Sequence, residues 1–136
     1  MEDLKSVEII NLTDHVVKIL EMDSFKFKGI TPRVKSFYLP SGEVARARFT
    51  TQLVETVKDQ FGNPISITST DYHIPKHNLP PEKPGVYYIT SKIVAEILMN
   101  LRNDLLIVSS KFYDENGTLI GARGFSRLKQ ITPNEK

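Results

Sequence analysis

The chain contains no cysteine, and this absence excludes several kinds of site. Without a thiol there is no disulfide framework, no cysteine-ligated zinc site, no iron–sulfur cluster and no cysteine nucleophile. The longest apolar runs, such as 93–95 and 105–108, are far shorter than the roughly 20 residues that a membrane-spanning helix needs. A charged-then-apolar leader is also missing at the amino end. We therefore expect a cytosolic protein that is not integral to a membrane.

A strong excess of one charge is also missing. The 136 residues carry 18 Lys and Arg against 16 Asp and Glu, which gives a formal net charge of +2. Because the positive and negative charges nearly balance, the chain creates no global field that would attract nucleic acid. Any anion site must therefore be local. The length suits one compact domain with a buried core, and we predict a single domain over residues 1–136.

Short runs rich in β-branched residues recur along the chain and predict strands. Residues 7–12 and 16–20 flank a turn-prone stretch, which favours a hairpin or a closely paired corner. The alternating run 44–57 and the run 65–70 are expected to pair antiparallel. The clearest signal is the C-terminal β-hairpin over 105–128, because Asn116-Gly117 suits a tight turn with positive φ angles.

One helix and two irregular segments complete the predicted fold. Ser91 is a good N-cap, and the apolar positions 94, 97, 98 and 101 form one stripe, so a helix is expected over about 91–102. Four prolines in 71–85 predict a loop or an arm, and 129–136 has the composition of a polar tail. The resulting class is α+β, a mostly antiparallel β-sheet with one main helix and a C-terminal hairpin.

The arginines are the strongest candidates for ligand binding. Arg46 and Arg48 share one strand face, and Arg123 and Arg127 share another with Phe125 between them. Guanidinium groups bind phosphate oxygens bidentately and aromatic rings stack on bases, so this chemistry suits a nucleotide. The aromatic candidates are Phe125, Tyr87 and Tyr88. The alternative is that the arginines are solvated strand-face residues or pair with acidic neighbours, and composition alone favours it.

Catalytic and metal-binding patterns are weak. His73 and His77 lie four apart beside Asp71, but Pro75 between them prevents the helix that would give this spacing meaning, and we expect no metal site. His15 is suited to general base catalysis but has no recognisable Ser or Cys partner. No glycine-rich phosphate loop and no paired carboxylates are present. The sequence therefore favours a binder without catalytic residues or cofactor.

Five short motifs occur in order over nearly the whole chain. They are Asn11-Leu12-Thr13-Asp14-His15, Pro40-Ser41-Gly42-Glu43-Val44-Ala45-Arg46, Tyr87-Tyr88-Ile89-Thr90-Ser91, Arg102-Asn103-Asp104-Leu105-Leu106 and Gly121-Ala122-Arg123-Gly124-Phe125-Ser126-Arg127. Together they resemble the signature of a family of small phage proteins, the Thoeris anti-defence sponges of the first type.

The resemblance implies a function, an assembly and a set of ligand contacts. The function is that of a non-enzymatic sponge in the host bacterial cytoplasm, which sequesters the cyclic ADP-ribose isomer signal made by a TIR-domain immune enzyme. Some members also bind cyclic oligonucleotide signals, and the assembly is a homo-oligomer of dimers forming a hexamer, with no nucleic acid or membrane partner. The implied contacts are Arg123, Arg127 and Arg46 on phosphate oxygens, Phe125 and Tyr88 in stacking, and Asn103 as a ribose or base partner.

Two other functions stay open at this point. One is an enzyme that degrades a nucleotide signal with His15 or His73 as acid or base, although neither has an assignable catalytic partner. The other is a phage protein-interaction module whose proline-rich segment 75–84 docks on a partner chain. Analysis of the released small molecule distinguishes a sponge from an enzyme, and a pull-down of host protein detects the module.

Overall fold

The computed structural model describes residues 4–21, 32–75 and 78–129. Its strands are β1 (Glu8–Asn11), β2 (Val17–Leu20), β3 (Val34–Tyr38), β4 (Arg48–Lys58), β5 (Pro64–His73), β6 (Val86–Ile89), β7 (Leu105–Tyr113) and β8 (Leu119–Ser126), and its helix is α1 (Lys92–Leu98). His77 of the predicted histidine pair lies outside the described residues, as does the predicted tail beyond Lys129.

Six strands form one mixed sheet in the order β1-β6-β7-β8-β2-β3. β1, β6 and β7 run parallel, as do β2 and β8, whereas β7–β8 and β2–β3 are antiparallel. Pro40, just after β3, bridges to Asn11 in β1, which brings the two edges together and makes the sheet nearly barrel-shaped. The expected α+β class is confirmed, but the expectation of a mostly antiparallel sheet is wrong for this sheet.

The connection through α1 explains part of this mixed direction. The chain leaves β6 at its carboxyl end and crosses over through α1 before it enters β7, and such a crossover places the two strands parallel. The helix itself is shorter than the expected 91–102. Ser91 caps it by accepting from the amide of Val94, as expected, but the amides of Leu101 and Arg102 both donate to the carbonyl of Leu98 and end it.

The predicted hairpins have different outcomes. The pairing of the 44–57 run with 65–70 is confirmed by β4 and β5, and the C-terminal hairpin is confirmed by β7 and β8. In its turn Gly117 has a φ of 81°, whereas Asn116 does not have a positive φ, because the carboxylate of Asp114 accepts from the amides of Asn116 and Thr118 instead. β1 and β2 do not pair with each other, so the hairpin or closely paired corner expected over 7–20 is wrong.

The main cluster of the core lies where β1, β6, β7 and α1 meet. Its buried members are Leu12, Ala45, Tyr88, Val94 and Leu105, and further apolar residues of β2 and β8 are also buried, which are Val17, Ile19, Leu20 and Ala122. Burying large apolar side chains such as these contributes roughly 1.5–3 kcal/mol each. The core therefore fixes the junction between β6 and α1 and holds the 44–47 segment against the end of β1.

The antiparallel pair β4–β5 forms a separate two-stranded sheet, here called the arm (48–73). Every residue of β4 is exposed, and so is every residue of β5 except Ser69. The arm nevertheless carries many large apolar side chains, which are Phe49, Leu53, Val54, Val57, Phe61, Ile65, Ile67 and Tyr72. Such a ribbon has little core of its own.

The proline-rich segment expected over 71–85 is divided between the arm and a loop. Residues 71–73 belong to β5, and the described part of the loop that follows is held against the barrel by Arg102. The Arg102 guanidinium donates to the carbonyl of Pro80 at 2.8 Å and lies 3.4 Å from the carboxylate of Glu82. Among the described residues, no helix is long and apolar enough to span a membrane.

Candidate functional site

A groove of about 520 Å³ opens where the parallel strands β1 and β6 end. It is lined by residues 12–15 after β1, by 44–47, by 89–93 at the junction of β6 and α1, and by parts of β7 and β8. Ligand sites in sheets with parallel strands are typically found at the carboxyl ends of those strands, and ligand pockets commonly have about 300–1,000 Å³. This groove, called the main groove below, is the first candidate site.

The wall formed by β7 follows from the unequal lengths of β6 and β7. β6 ends at Ile89 opposite Leu106, whereas β7 continues to Tyr113. Val108 and Lys111 both line the groove, although residues three apart face opposite sides of a regular strand. Ser110 between them has a φ of 55°, a left-handed conformation, while its neighbours Ser109 and Lys111 keep their pairing with Gly124 and Ala122.

A buried asparagine fixes the turn that forms the rim. The side-chain amide of Asn11 donates to the carbonyls of His15 and Tyr38 at 2.8 and 2.9 Å. Its side-chain oxygen accepts from the amide and the hydroxyl of Thr13 at 2.9 and 2.6 Å. All four hydrogen bonds that an asparagine side chain can form are thereby made. The turn is held in one conformation, with Asp14 and His15 at the groove.

Asp14 connects two basic groups at this rim. Its carboxylate lies 3.3 Å from the Arg46 guanidinium and 3.3 Å from Nδ1 of His15. The hydrogen bond with His15, and next the one with Arg46, hold the pKa of Asp14 below its ordinary value. All three side chains are exposed, so solvent screens these interactions and the groups remain accessible to a ligand.

Cations outnumber acids around the main groove. Its lining includes Arg46, Lys92 and Lys111 but only one carboxylate, that of Asp14. Lys92 lies 3.8 Å from Glu96 on its own helix. Between these cations the walls are largely apolar, with Leu12, Val44, Ala45, Ala47, Ile89, Ile93 and Ile107 among their residues. The combination suits an anionic ligand that also has an apolar or aromatic part.

A second cavity of about 230 Å³ adjoins the main groove. The two share His15, Val17, Val108, Lys111 and Leu119. The second cavity extends between β2 and β7 over the beginning of β8, where Ile120, Gly121 and Ala122 line it.

The residues expected to bind ligand do not all come together. Arg46 lines the main groove, whereas Arg123, Phe125 and Arg127 line neither cavity, and neither does Asn103. Tyr88 is 1% exposed in the core, and its hydroxyl donates to the carbonyl of Pro81, so its ring has no free face for stacking on a base. The proposed stacking role of Tyr88 is therefore incompatible with this structure.

The residues of β8 form a second group. The Phe125 ring packs edge-on against Tyr38, with ring centres 5.7 Å apart. The guanidinium carbon of Arg127, just after the strand, lies 6.0 Å from the centre of the Tyr87 ring, within the range of a cation–π contact. Arg123 and Arg127 are exposed. This group offers cations and rings, but neither described cavity opens onto it.

Sequence reasoning missed the lysines of the two cavities. Lys18, Lys92 and Lys111 come from β2, α1 and β7, and no local spacing connects them. His73 ends the arm opposite Arg48 and lines neither cavity. In the described ranges, no three His, Asp or Glu side chains are grouped as metal ligands would be.

Comparisons of the chain with protein-family models, with curated proteins and with solved structures each return no match.

Proposed function

We propose that this protein is a phage anti-defence sponge that binds a small nucleotide signal in the main groove and sequesters it without cleaving it. The proposed signal is the cyclic ADP-ribose isomer made by bacterial TIR-domain immunity in the host cytoplasm. The observation that carries the proposal is the main groove, whose apolar walls have three cations and one carboxylate around them. The resemblance of the sequence motifs supplies the particular ligand.

The groove offers different chemistry for the two parts of such a ligand. Apolar walls, for example at Val44 and Ile107, favour a base or the carbon face of a ribose, while Arg46 and Lys92 attract phosphate oxygens. The lining comes mainly from strands, from a helix start and from the turn that Asn11 holds. Little ordering is left to occur on binding, and such preorganisation favours the tight binding that a sponge needs.

An enzyme that degrades the signal is the second candidate, because His15 lies in the groove with Asp14 beside its Nδ1. A carboxylate in that position can orient an imidazole as a general base. Analysis of the bound molecule separates the two functions. Protein is mixed with the signal from an activated TIR-domain enzyme, filtered and heat-denatured, and the released molecule is identified. A sponge removes the signal from the filtrate and returns it intact, whereas an enzyme returns a product.

The location of the site is tested with matched arginine variants. We expect Arg46→Ala to weaken capture by about 1–3 kcal/mol, as expected for loss of a charge-assisted contact, and Arg123→Ala to leave capture unchanged. If the ligand instead binds the β8 group, Arg123→Ala and Arg127→Ala weaken capture while Arg46→Ala does not. That second result would assign the ligand to Arg123, Phe125 and Arg127, with Asn103 as a further candidate.

We also propose that the protein is a homo-oligomer, with dimers forming a hexamer, and that the arm contributes to contacts between copies. An isolated two-stranded ribbon is only marginally stable in water, and an exposed edge is a template for pairing with another chain. The arm has both features, together with an exposed ring pair in which the Phe49 and Tyr72 centres lie 6.0 Å apart. A different phage or host protein on the arm is the alternative outcome.

A further inference from the structure

We infer that the arm is a dimerisation element, in which the β4 strands of two copies pair antiparallel about a twofold axis at Thr51. The two arms then form one four-stranded sheet in the order β5-β4-β4-β5. The inference rests on the homo-oligomer of the proposed function and names its contact and register. It does not depend on the identity of the captured signal.

The β4 edge of the arm is open to a further strand. Among the described strands, β4 and β5 pair only with each other, so each has a free edge. β5 begins with Pro64, which has no amide hydrogen to donate, and carries the charged Asp71 near its other end, and both features disfavour pairing at an edge. β4 has no proline, and its stretch Arg48–Leu53 pairs with β5 without irregularity. The regular part of β4 is therefore the edge that suits a second copy.

A bulge limits the pairing to the half of β4 that lies next to the barrel. The register with β5 shifts between Leu53 and Glu55, which leaves Val54 as the extra residue. A bulge disrupts the ladder locally and increases the twist of the strand. The second β4 therefore pairs over 48–54 and does not continue towards the tip of the arm at 59–63.

The apolar side chains of this half select one register. Phe49, Thr51 and Leu53 share one face of β4, because they alternate along the strand. In a pair centred on Thr51, Phe49 of each copy lies opposite Leu53 of the other. Moving the centre by one residue puts Thr51 opposite Phe49 or Leu53 instead. Since side chains that lie directly opposite each other are the unit of sheet stabilisation, the centre at Thr51 gains most.

This register extends a ring pair that the arm already contains. Phe49 lies opposite Tyr72 of its own copy, and the two ring centres are 6.0 Å apart. In the single copy, Phe49 is 65% exposed and Leu53 is 62% exposed. Pairing places Tyr72, Phe49 and Leu53 of the second copy in one row across the sheet, and the twofold axis repeats the row. Each copy thereby covers apolar surface that is otherwise in water.

The charges of β4 complement each other in the same register. Arg48 and Glu55 lie on one face, because their partners His73 and Ile67 are an even number of residues apart on β5. Arg48 of each copy lies opposite Val54 of the other and thus beside Glu55. Opposite charges come together twice, and no like charges are opposed within 48–54, where Arg48 is the only charged residue.

The symmetry of the contact limits it to two copies. Both copies use the same edge, and such a twofold contact is closed once it has formed. The β4 pair therefore accounts for the dimer, and the dimers of the proposed hexamer need a different surface to join them.

The pairing is tested by disulfide trapping in the full chain, which has no cysteine of its own. We expect mild oxidation to give a covalent dimer from Thr51→Cys, or from a mixture of Thr50→Cys with Gln52→Cys, because these positions lie directly opposite each other. Both combinations are used because opposed pairs alternate between closer and wider spacing. Gln52→Cys alone is the matched control, since its counterpart lies two residues further along the strand, beyond the roughly 7 Å that a disulfide bridges.

Amide hydrogen exchange of the wild type gives a second measurement without any substitution. Along a free edge, alternate amides have no strand partner, whereas a strand paired on both sides has partners for all of them. We expect consecutive amides over 49–53 to be protected. On β5, alternate amides over 66–72 should exchange at least tenfold faster than their neighbours.

The pairing requires both results. It is overturned if neither cysteine combination is trapped more than Gln52→Cys alone, or if β4 shows the same alternating exchange as β5. A monomeric wild type, which leaves the edge to a different protein, gives that outcome. If both results hold while the wild type captures no TIR-domain signal, the proposed sponge fails and the pairing stands. If the signal is captured intact while either result is missing, the pairing fails and the sponge stands.

Discussion

Arg102 contacts three groups with its side chain, which are the Asp104 carboxylate, the Glu82 carboxylate and the carbonyl of Pro80. Its Nε and Nη2 donate to the two carboxylate oxygens of Asp104 at 2.9 and 2.7 Å, and Nη2 also donates to the carbonyl of Pro80. The hydrogen bonds to Asp104, which outweigh the effect of burial, raise the pKa of Arg102 above its ordinary value. At the residue scale, this pair attaches the proline-rich loop to the start of β7.

We predict that Arg102→Met lowers the free energy of unfolding by about 3 kcal/mol, because it leaves the Asp104 carboxylate buried without its partner. Urea unfolding followed by circular dichroism measures the loss. Arg33→Met is the control, since the ion pair of Arg33 with Glu21 is exposed and contributes at most about 1 kcal/mol. Equal losses in the two variants would contradict the role given to Arg102.

The rim of the groove gives a prediction about protonation. Because a hydrogen bond with His15 and interactions with Arg46 both lower the pKa of Asp14, removing either partner raises that pKa. We expect a rise in His15→Ala and in Arg46→Ala, measured by carboxyl carbon NMR during a pH titration. An Asp14 pKa that stays the same in both variants would show that the three side chains do not interact in solution.

At the element scale, Ser110 has a left-handed backbone within β7, where the strand forms the wall of the groove. A non-glycine residue in this conformation costs roughly 1–2 kcal/mol, and a β-branched residue tolerates it least. The pairing of β7 with β8 continues on both sides of it, so the rest of the ladder holds this conformation in place.

We therefore predict that Ser110→Gly preserves or raises stability. Ser110→Val should lower the free energy of unfolding by about 1–3 kcal/mol, because a β-branched side chain is strained in the left-handed conformation. Chemical unfolding of both variants gives the comparison. A Ser110→Val variant as stable as Ser110→Gly would contradict this cost.

The elements that could be predicted from the sequence are those with local signals. The alternation of 44–57 and 65–70 and the Asp114–Thr118 turn predict β4–β5 and β7–β8, because each pair is joined by a short turn. The parallel pairing of β1 with β6 joins parts of the chain that are distant in sequence, so no local turn motif predicts it. For the same reason, sequence alone does not show that Tyr88 is buried.

The candidate site was predictable only in part, again because it is assembled from distant elements. Arg46 follows a recognisable turn, in which Gly42 has a φ of 102°, and it does reach the main groove. Lys18 and Lys111 both line the second cavity, although they lie on strands β2 and β7, which are far apart in sequence. The strand order that brings β2 and β7 to either side of β8 depends on contacts distant in sequence. The sequence instead favoured Arg123 and Arg127 as ligand contacts, because strand alternation alone predicts that they share a face.

At the scale of the whole molecule, the nearly closed sheet and the exposed arm suggest separate tasks. The sheet brings the ends of β1 and β6 together and forms the groove, while the arm exposes apolar side chains. A homo-oligomer that uses the arm would leave the groove of each copy to its ligand.

We predict that the wild type is oligomeric in light scattering at micromolar concentration and that the double variant Phe49→Ser, Leu53→Ser has a lower mass. The reason is that both apolar side chains lie on the same face of the arm and lose the surface that another copy would bury. Thr51→Ser, between them, is the control. A monomeric wild type would contradict the homo-oligomer.

We propose that the main groove captures a nucleotide signal and holds it intact. The most direct measurement is analysis of the molecule released on denaturation after the wild type has been mixed with the signal of an activated TIR-domain enzyme. We expect the signal to disappear from the filtrate and to return chemically unchanged, and we expect Arg46→Ala to capture it less tightly. A signal that is never captured, or that returns altered, would contradict the proposed sponge.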